Sequence, residues 1–529
     1  MSRLPLAPVV GSVQAATDYL AVLPVDDPVR YEQGVLSLLD SLLRVPPQPD
    51  VLFGVLERLR AGVGRVREEL ARHYSQRPVP LSELETLAFL RCQAVLQRMA
   101  QAYALCAQRV DMPPPSSDAQ QFLAEVLQRC LYYNGRLIFE HYRACRELVG
   151  GCWLAVHAAY KVAEELSLAE RSVTDRFMAS AETCCLATYA SILLSDLAGP
   201  ASQGARNIDM IRRWAELWSS KAQVLRPPVS EERTLPIHLD RDVPLCPAEG
   251  AGETTANLRL FDIRAVGREA RHALAKLKKT SRPEQLGLGE EPAGKVIHLL
   301  QSLVAPWSQS LAVRRFRRFA SDGQARLTSG LEAIYQQVAG QPFVAQDSRQ
   351  AYSRGDHVQL HIFRDKVAAA VVPLDVAEQT ESWRVLNHSA SGFRLRRDGP
   401  GHSLQHGQLV AVCPPDSKRF FLAHVTWLVE NQAGALVCGL SILPGLPQAL
   451  AVRLLPLPSE GVPALRYAVA FKLPAVPGVG EEPSLVLPLG LYQASRTLET
   501  RQDKRLGRLR MLNILQRGSD FDRVSYSDA

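Results

Sequence analysis

The chain lacks the features that most quickly tie a protein to a chemistry. Its 529 residues contain no GxxxxGK[ST] loop, no HExxH pair and no GxSxG elbow, so triphosphate hydrolysis, zinc-dependent peptide cleavage and serine-ester chemistry have no support in sequence. Ten cysteines occur, none in a CxxC pair although Cys184 and Cys185 are adjacent, and neither a zinc site nor a disulfide framework follows. Cys92, Cys106, Cys130 and Cys152 sit in helical apolar surroundings, where a small buried thiol is the expected role. No stretch reaches the ~20 uninterrupted apolar residues of a membrane span. The first residues are broken by Pro5 and Pro8 and lack a signal-peptide core, which makes the cytoplasm the expected compartment. Aromatic residues are only 7 %, so stacking platforms for single strands are sparse, and a net charge of +7 is modest for this length. Against these absences stand 47 % hydrophobic and 22 % charged residues, an ordinary globular balance with length enough for two to four domains.

The first ~300 residues carry helix after helix. Ser82-Glu83-Leu84-Glu85 is a capping box, and Leu84, Leu87, Ala88, Cys92, Val95 and Met99 behind it share one face, so a helix is expected from about Ser82 to Gln108, stopped by Pro113-Pro114-Pro115. Further helices are expected near 31–43, 51–73, 118–148, 171–195, 207–224, 262–279 and 295–311. Another is expected where Trp153, Val156, Tyr160, Ala163 and Leu166 form a stripe. His157 lies on or beside that stripe and reads as a hydrogen-bonded core histidine. Pro227-Pro228 and the loose run to about 256 mark a possible sub-boundary.

After about 305 the pattern changes. Short apolar or alternating runs at 393–396, 407–412, 420–429 and 435–442, separated by Gly, Pro, Asp and Asn, read as antiparallel strands. Beyond Pro444 comes Leu485-Val486-Leu487-Pro488-Leu489, and then a basic terminal stretch. Residues 506–515 there read as a strand with one basic face or, alternatively, as an amphipathic helix.

Two motifs lie inside this region, Arg314-Arg315-Phe316-Arg317-Arg318 and Asn387-His388-Ser389-Ala390-Ser391-Gly392. Taken alone, the first is a solvated basic face and the second an ordinary turn composition. In this order, ahead of and within these strands, they resemble the RxxxR and [D/N]xSxxG signatures of PilZ domains, receptors of cyclic di-GMP. His424-Val425-Thr426-Trp427 and Cys438-Gly439-Leu440-Ser441-Ile442 also look like late strands of such a barrel. The resemblance implies a multidomain α + β chain: a helical bundle or array over 1–305, a PilZ-like β-barrel over 306–450 with an insertion near 340–383, and a small β-rich extension over 451–529. Strand-like runs at 358–363 and 368–372 fall in the insertion.

The resemblance also implies a ligand, cyclic di-GMP, held by Arg314, Arg315, Arg318, Asn387, Ser389 and Gly392, with Arg317, Arg394 and Arg396 as additional candidates. Guanidinium forks suit phosphate oxygens and guanine O6/N7, and a glycine lets a base approach the backbone. Asn387 stands where many relatives carry Asp; a neutral amide gives up charge assistance toward guanine, which predicts weaker binding. No GGDEF or EAL motif is present, so the chain is expected to read the messenger without making or degrading it. The expectation is a non-enzymatic signalling protein without cofactor or metal, in which the Arg arm closes over the barrel and the helical region meets a protein effector. Two other readings stay open: a degenerate PilZ scaffold serving protein contacts, and a nucleic-acid-binding protein whose phosphate surface joins Arg314–Arg318, Arg394–Arg397 and the basic C-terminal strand.

Overall fold

The computed structural model describes residues 11–227, 234–245, 256–308, 318–343, 380–455, 467–502 and 505–529. Contacts divide the chain into two units, one comprising 1–77 and 81–313, the other 78–80 and 314–529.

The first unit is built on helices α1 (Val13–Ala21), α2 (Pro28–Arg44), α3 (Pro49–Tyr74), α4 (Glu83–Gln108), α5 (Ser117–Arg143), α6 (Cys152–Glu165), α7 (Cys185–Leu197), α8 (Ala205–Trp218), α9 (Arg264–Thr280) and α10 (Ala293–Val304). The capping box forms as expected: Ser82 caps the Glu85 amide, and the Glu85 carboxylate accepts from Ser82 N–H at 2.8 Å. Helices α3, α4 and α5 bury leucine, valine and tyrosine along their facing stripes, with Tyr103 stacked on Tyr133. His157 is a core residue, its two ring nitrogens meeting Tyr189 Oη at 2.8 Å and the Val243 carbonyl at 2.9 Å.

The helix expected over 171–195 begins only at Cys185. The stretch before it forms β1 (Val173–Thr174) and β2 (Glu182–Thr183). Here Asp175 turns inward: its carboxylate accepts from the Phe177 amide, an Asx-type turn, and takes both bonds from Arg60 Nη2 of α3 at 2.7 and 2.8 Å. A long-range buried ion pair outcompetes local helix formation. The helix expected over 207–224 likewise ends at Trp218, and the chain enters β3 (Gln223–Leu225), which joins β4 (Leu235–His238) and β5 (Leu258–Asp262) in a small sheet of order β3-β5-β4.

The second unit opens on β6 (Phe319–Ala320) and β7 (Gln324–Ser329), which pair along β8 (Thr380–Ser389). Strands β9 (Gly392–Arg397), β10 (Leu409–Cys413), β11 (Phe421–Glu430) and β12 (Leu436–Ile442) follow. The order β8-β7-β10-β11-β12-β9 returns to β8 through the β8–β9 hairpin, so these strands close on themselves as a barrel.

The C-terminal region, expected as a small β-rich extension, is β-rich and closes as a barrel of its own. β13 (Gln448–Leu454), β14 (Ala468–Leu473), β15 (Ser484–Pro488), β16 (Thr497–Gln502), β17 (Arg505–Arg517) and β18 (Phe521–Asp528) form a second closed barrel of order β13-β14-β15-β18-β17-β16. β17 is thus a strand, with Leu509 and Met511 buried and Arg508 and Arg510 outward. Helix α11 (Leu331–Ala339) buries Ile334 in a cluster fed by both barrels, including Leu409, Leu422, Phe471 and Phe521. The strands expected at 358–363 and 368–372 lie outside the described residues.

Candidate functional site

The β6–β8 register pairs Phe319 with His388 and Ala320 with Asn387. It therefore sets Arg318, just ahead of β6, beside Asn387, and Arg318 Nη1 donates to Asn387 Oδ1 at 3.1 Å. The two motifs meet through this bond. Arg314, Arg315 and Arg317 lie outside the described residues.

A register shift between Val385 and Asn387 aligns Asn387 with Arg394 on β9. Arg394 pairs in turn with Gly439 on β12, and Gly439 with Trp427 on β11. The result is one cross-strand row on the outer surface of the barrel: Arg318, Asn387, Arg394, Trp427. Gly439 makes the row possible, because a Cβ there would fall 1.9 Å from Trp427 Nε1. The indole crosses the strand where a side chain is missing, and the Arg394 guanidinium sits over it, 5.6 Å from the ring centroid.

The other arginines of the region are engaged. Arg396 donates to Asp398 at 2.6 Å, and Arg397 points inward to Glu381 and over Trp383. Burial would raise the Glu381 carboxyl, but the His402 amide and Arg397 override it and hold it below its ordinary value. Among the described residues, neither Arg318 nor Arg394 forms a salt bridge with a carboxylate.

Ser389 is nearly buried and its Oγ lies 3.4 Å from Ser391 Oγ. Gly392 has a structural reason that its motif does not reveal: a Cβ at this position would lie 2.1 Å from the Leu440 carbonyl oxygen of β12. It permits strand approach, and that approach keeps the Ser389–Gly392 hairpin tight.

On the other side of this hairpin, His388, Ser391 and Phe393 border a cavity of about 1090 Å³ that reaches His424 and, from the second barrel, Gln516 and Arg523. Its size lies slightly above the usual range of ~300–1,000 Å³ for small-ligand sites. His424 Nε2 lies 3.2 Å from Gln516 Nε2, while its buried Nδ1 has no hydrogen-bond partner among the described residues. Burial, helped by His406 and Arg523, pulls His424 down to about 4, so the ring is neutral near pH 7. Sequence reasoning missed this cavity and the part played by Trp427; the signal for the latter was a glycine in the interior of a strand pattern at 439.

A guanidinium, an amide, a second guanidinium and an indole thus stand in one row on a closed barrel, in the same chain as a large helical unit. Residues 14–228 match the family model described as "Cyclic-di-GMP receptor FimW, N-terminal domain", and residues 455–529 match "FimW C-terminal beta-barrel domain". The two matches together span more than half of the chain, which belongs to the FimW family of cyclic-di-GMP receptors. No curated protein matches it. Among the described residues no helix is long and apolar enough to cross a membrane.

Proposed function

We propose that the chain binds cyclic di-GMP on the outer face of its first barrel and transmits the bound state to its helical unit. The Arg318–Asn387 bond carries this reading, because it joins two motifs that are distant in sequence at one surface. Arg318 and Arg394 supply forks for phosphate oxygens or a guanine edge, Asn387 pairs with the guanine edge, and Trp427 offers a face for base stacking. Ser389 and Gly392 hold the hairpin that presents Asn387. Arg314, Arg315 and Arg317 complete the arm, and Arg396 exchanges Asp398 for ligand when the phosphates arrive. The messenger is read and left chemically unchanged.

The chain passes from one unit to the other at Val313–Arg314, the first residue of the Arg motif. A ligand that orders this motif restrains the connection, and the helical unit then meets a protein effector with altered freedom. Calorimetric titration of the full chain with cyclic di-GMP, with GTP and with short duplex DNA tests the ligand. Saturable heat with cyclic di-GMP alone is expected. No heat with any of them would mean a degenerate barrel serving only protein contacts, and tighter binding of DNA would move the chain to the nucleic-acid class.

A further inference from the structure

We propose that α9 and the turn after α10 form a docking site for an acidic segment of a partner protein. The inference names the surface for the effector invoked above and rests on that reading.

Helix α9 buries Val266, Gly267, Ala270 and Leu277 and exposes a cationic face. At ~100° per residue, Arg264, Arg268, Arg271, Lys278 and Lys279 fall within about 100° of one another, a stripe running roughly 22 Å along the axis. The compensation is small. Asp262 grips Arg264 with both oxygens, at 3.0 and 2.6 Å, and Glu269 stands to the side of the stripe. Among the described residues, Arg268, Arg271, Lys278 and Lys279 take part in no salt bridge. So many like charges on one face repel each other, a departure from local consistency of the kind that marks function.

The stripe also borders a hollow. Arg264, Arg268, Arg271, Gln301 and Ser308 line an open concavity of about 510 Å³. Gly267 makes it: a Cβ there would lie 2.6 Å from Ser308 Oγ and 2.7 Å from the Trp307 carbonyl, so only glycine lets the turn at 306–308 close against the helix. Arg271 Nη1 then donates to Ser308 Oγ at 2.5 Å, which orients its fork along the rim.

The surroundings select the partner. Over residues 256–308 no large hydrophobic side chain is exposed, so an interfacial membrane helix has no apolar anchor here. Trp307 and Phe261 are fully buried and offer no stacking surface for single strands. The arginines of α9 rim a hollow beside the 306–308 turn instead of forming a projecting ridge, which is the shape a duplex groove takes. What remains is carboxylates, which planar guanidinium forks bind bidentately, in a hollow the size of a few side chains.

The test uses the full chain and a labelled 20-residue helical peptide of alternating Glu and Ala blocks. Phosphatidylserine-containing vesicles and a short DNA duplex are parallel probes, and cyclic di-GMP titration is run on each variant. The double variant Arg268→Glu/Arg271→Glu is expected to weaken peptide binding at least about tenfold, while the charge-matched control Arg508→Glu/Arg510→Glu on β17 stays within about twofold. Cyclic di-GMP binding should be unchanged in both variants. Equal losses in the two variants, no peptide binding to the wild type, or tighter α9-dependent binding of vesicles or DNA would each overturn the proposal. A failure of cyclic di-GMP binding with α9-dependent peptide binding intact would count against the receptor reading alone.

Discussion

Arg318 Nη1 donates to Asn387 Oδ1 at 3.1 Å, across 69 residues of sequence. Both side chains lie on the outer face of the first barrel, where neither is needed to hold the core. Arg318→Ala should therefore leave the fold intact and cost cyclic di-GMP binding about 1.5–3 kcal/mol, ten- to a hundredfold in affinity. Calorimetry on the variant, with circular dichroism to show that it is folded, decides this. Unchanged affinity would remove Arg318 from the site.

Asn387→Asp should tighten binding. The carboxylate would sit between Arg318 and Arg394, which keep it ionised, and would accept charge-assisted bonds from the guanine edge. An affinity equal to or below the wild type would mean that residue 387 serves to position Arg318 and does not touch a base.

Gly392→Val should destabilise the barrel before it affects ligand directly. Its Cβ would collide with the Leu440 carbonyl, and relief requires β9 and β12 to separate, a strain of about 1–3 kcal/mol. A lower melting temperature with the ligand absent is the expected result. A normal melting temperature with lost binding would restore the glycine to direct ligand contact.

Stability of the helical unit should fall with pH in two stages. Burial holds His157 and His141 below their ordinary value of 6.5, so they stay neutral when folded and charge when unfolded; stability is lost as pH falls below about 6.5. For Asp175 and Glu140, burial pushes upward, but Arg60 and Arg129 on the first and Arg67 and Arg143 on the second win and hold both carboxyls low. Their contribution is complete above the unfolded carboxylate range near 4 and disappears as pH drops through the folded values. Asp175→Ala should remove about 1.5–3 kcal/mol at pH 7, because Arg60 and Arg129 lose a charge-assisted partner and are left sharing Glu57. Denaturant melts between pH 3 and 8 would show both stages; in the variant the acid stage should shrink.

Ordering of the Arg motif by cyclic di-GMP should protect residues 311–326 from amide exchange and alter protection in at least one helix before Leu300, because a restrained connection changes what it is attached to. Protection confined to the hairpin around Asn387 would mean that the barrel binds in isolation.

Much of the helical unit was legible because its signals are local. Ser82 and Glu85 cap each other three residues apart, and the stripe behind them needs nothing beyond the helical period. The stretch at 171–184 was not legible, since Asp175 is claimed by Arg60, 115 residues away, and no local pattern encodes that pairing. The candidate site divides the same way. Arg318, Asn387 and Arg394 were named from motifs, but Trp427 joined them only through strand register.

By itself the sequence determined the long capped and striped helices of the first unit, the strand runs between 393 and 442, and that the chain carries Arg and Asn-x-Ser-x-x-Gly motifs resembling those of a messenger receptor, because all three depend on residues within a few positions of one another. Tertiary structure alone decided that β8 pairs with β9 to close the first barrel, that the terminal strands close a second, that Gly392 answers to Leu440 and Gly439 to Trp427, and that Gly267 hollows the surface beside α9. These are outcomes of register and close approach between segments far apart in the chain, set by competition for buried contacts that no local window contains.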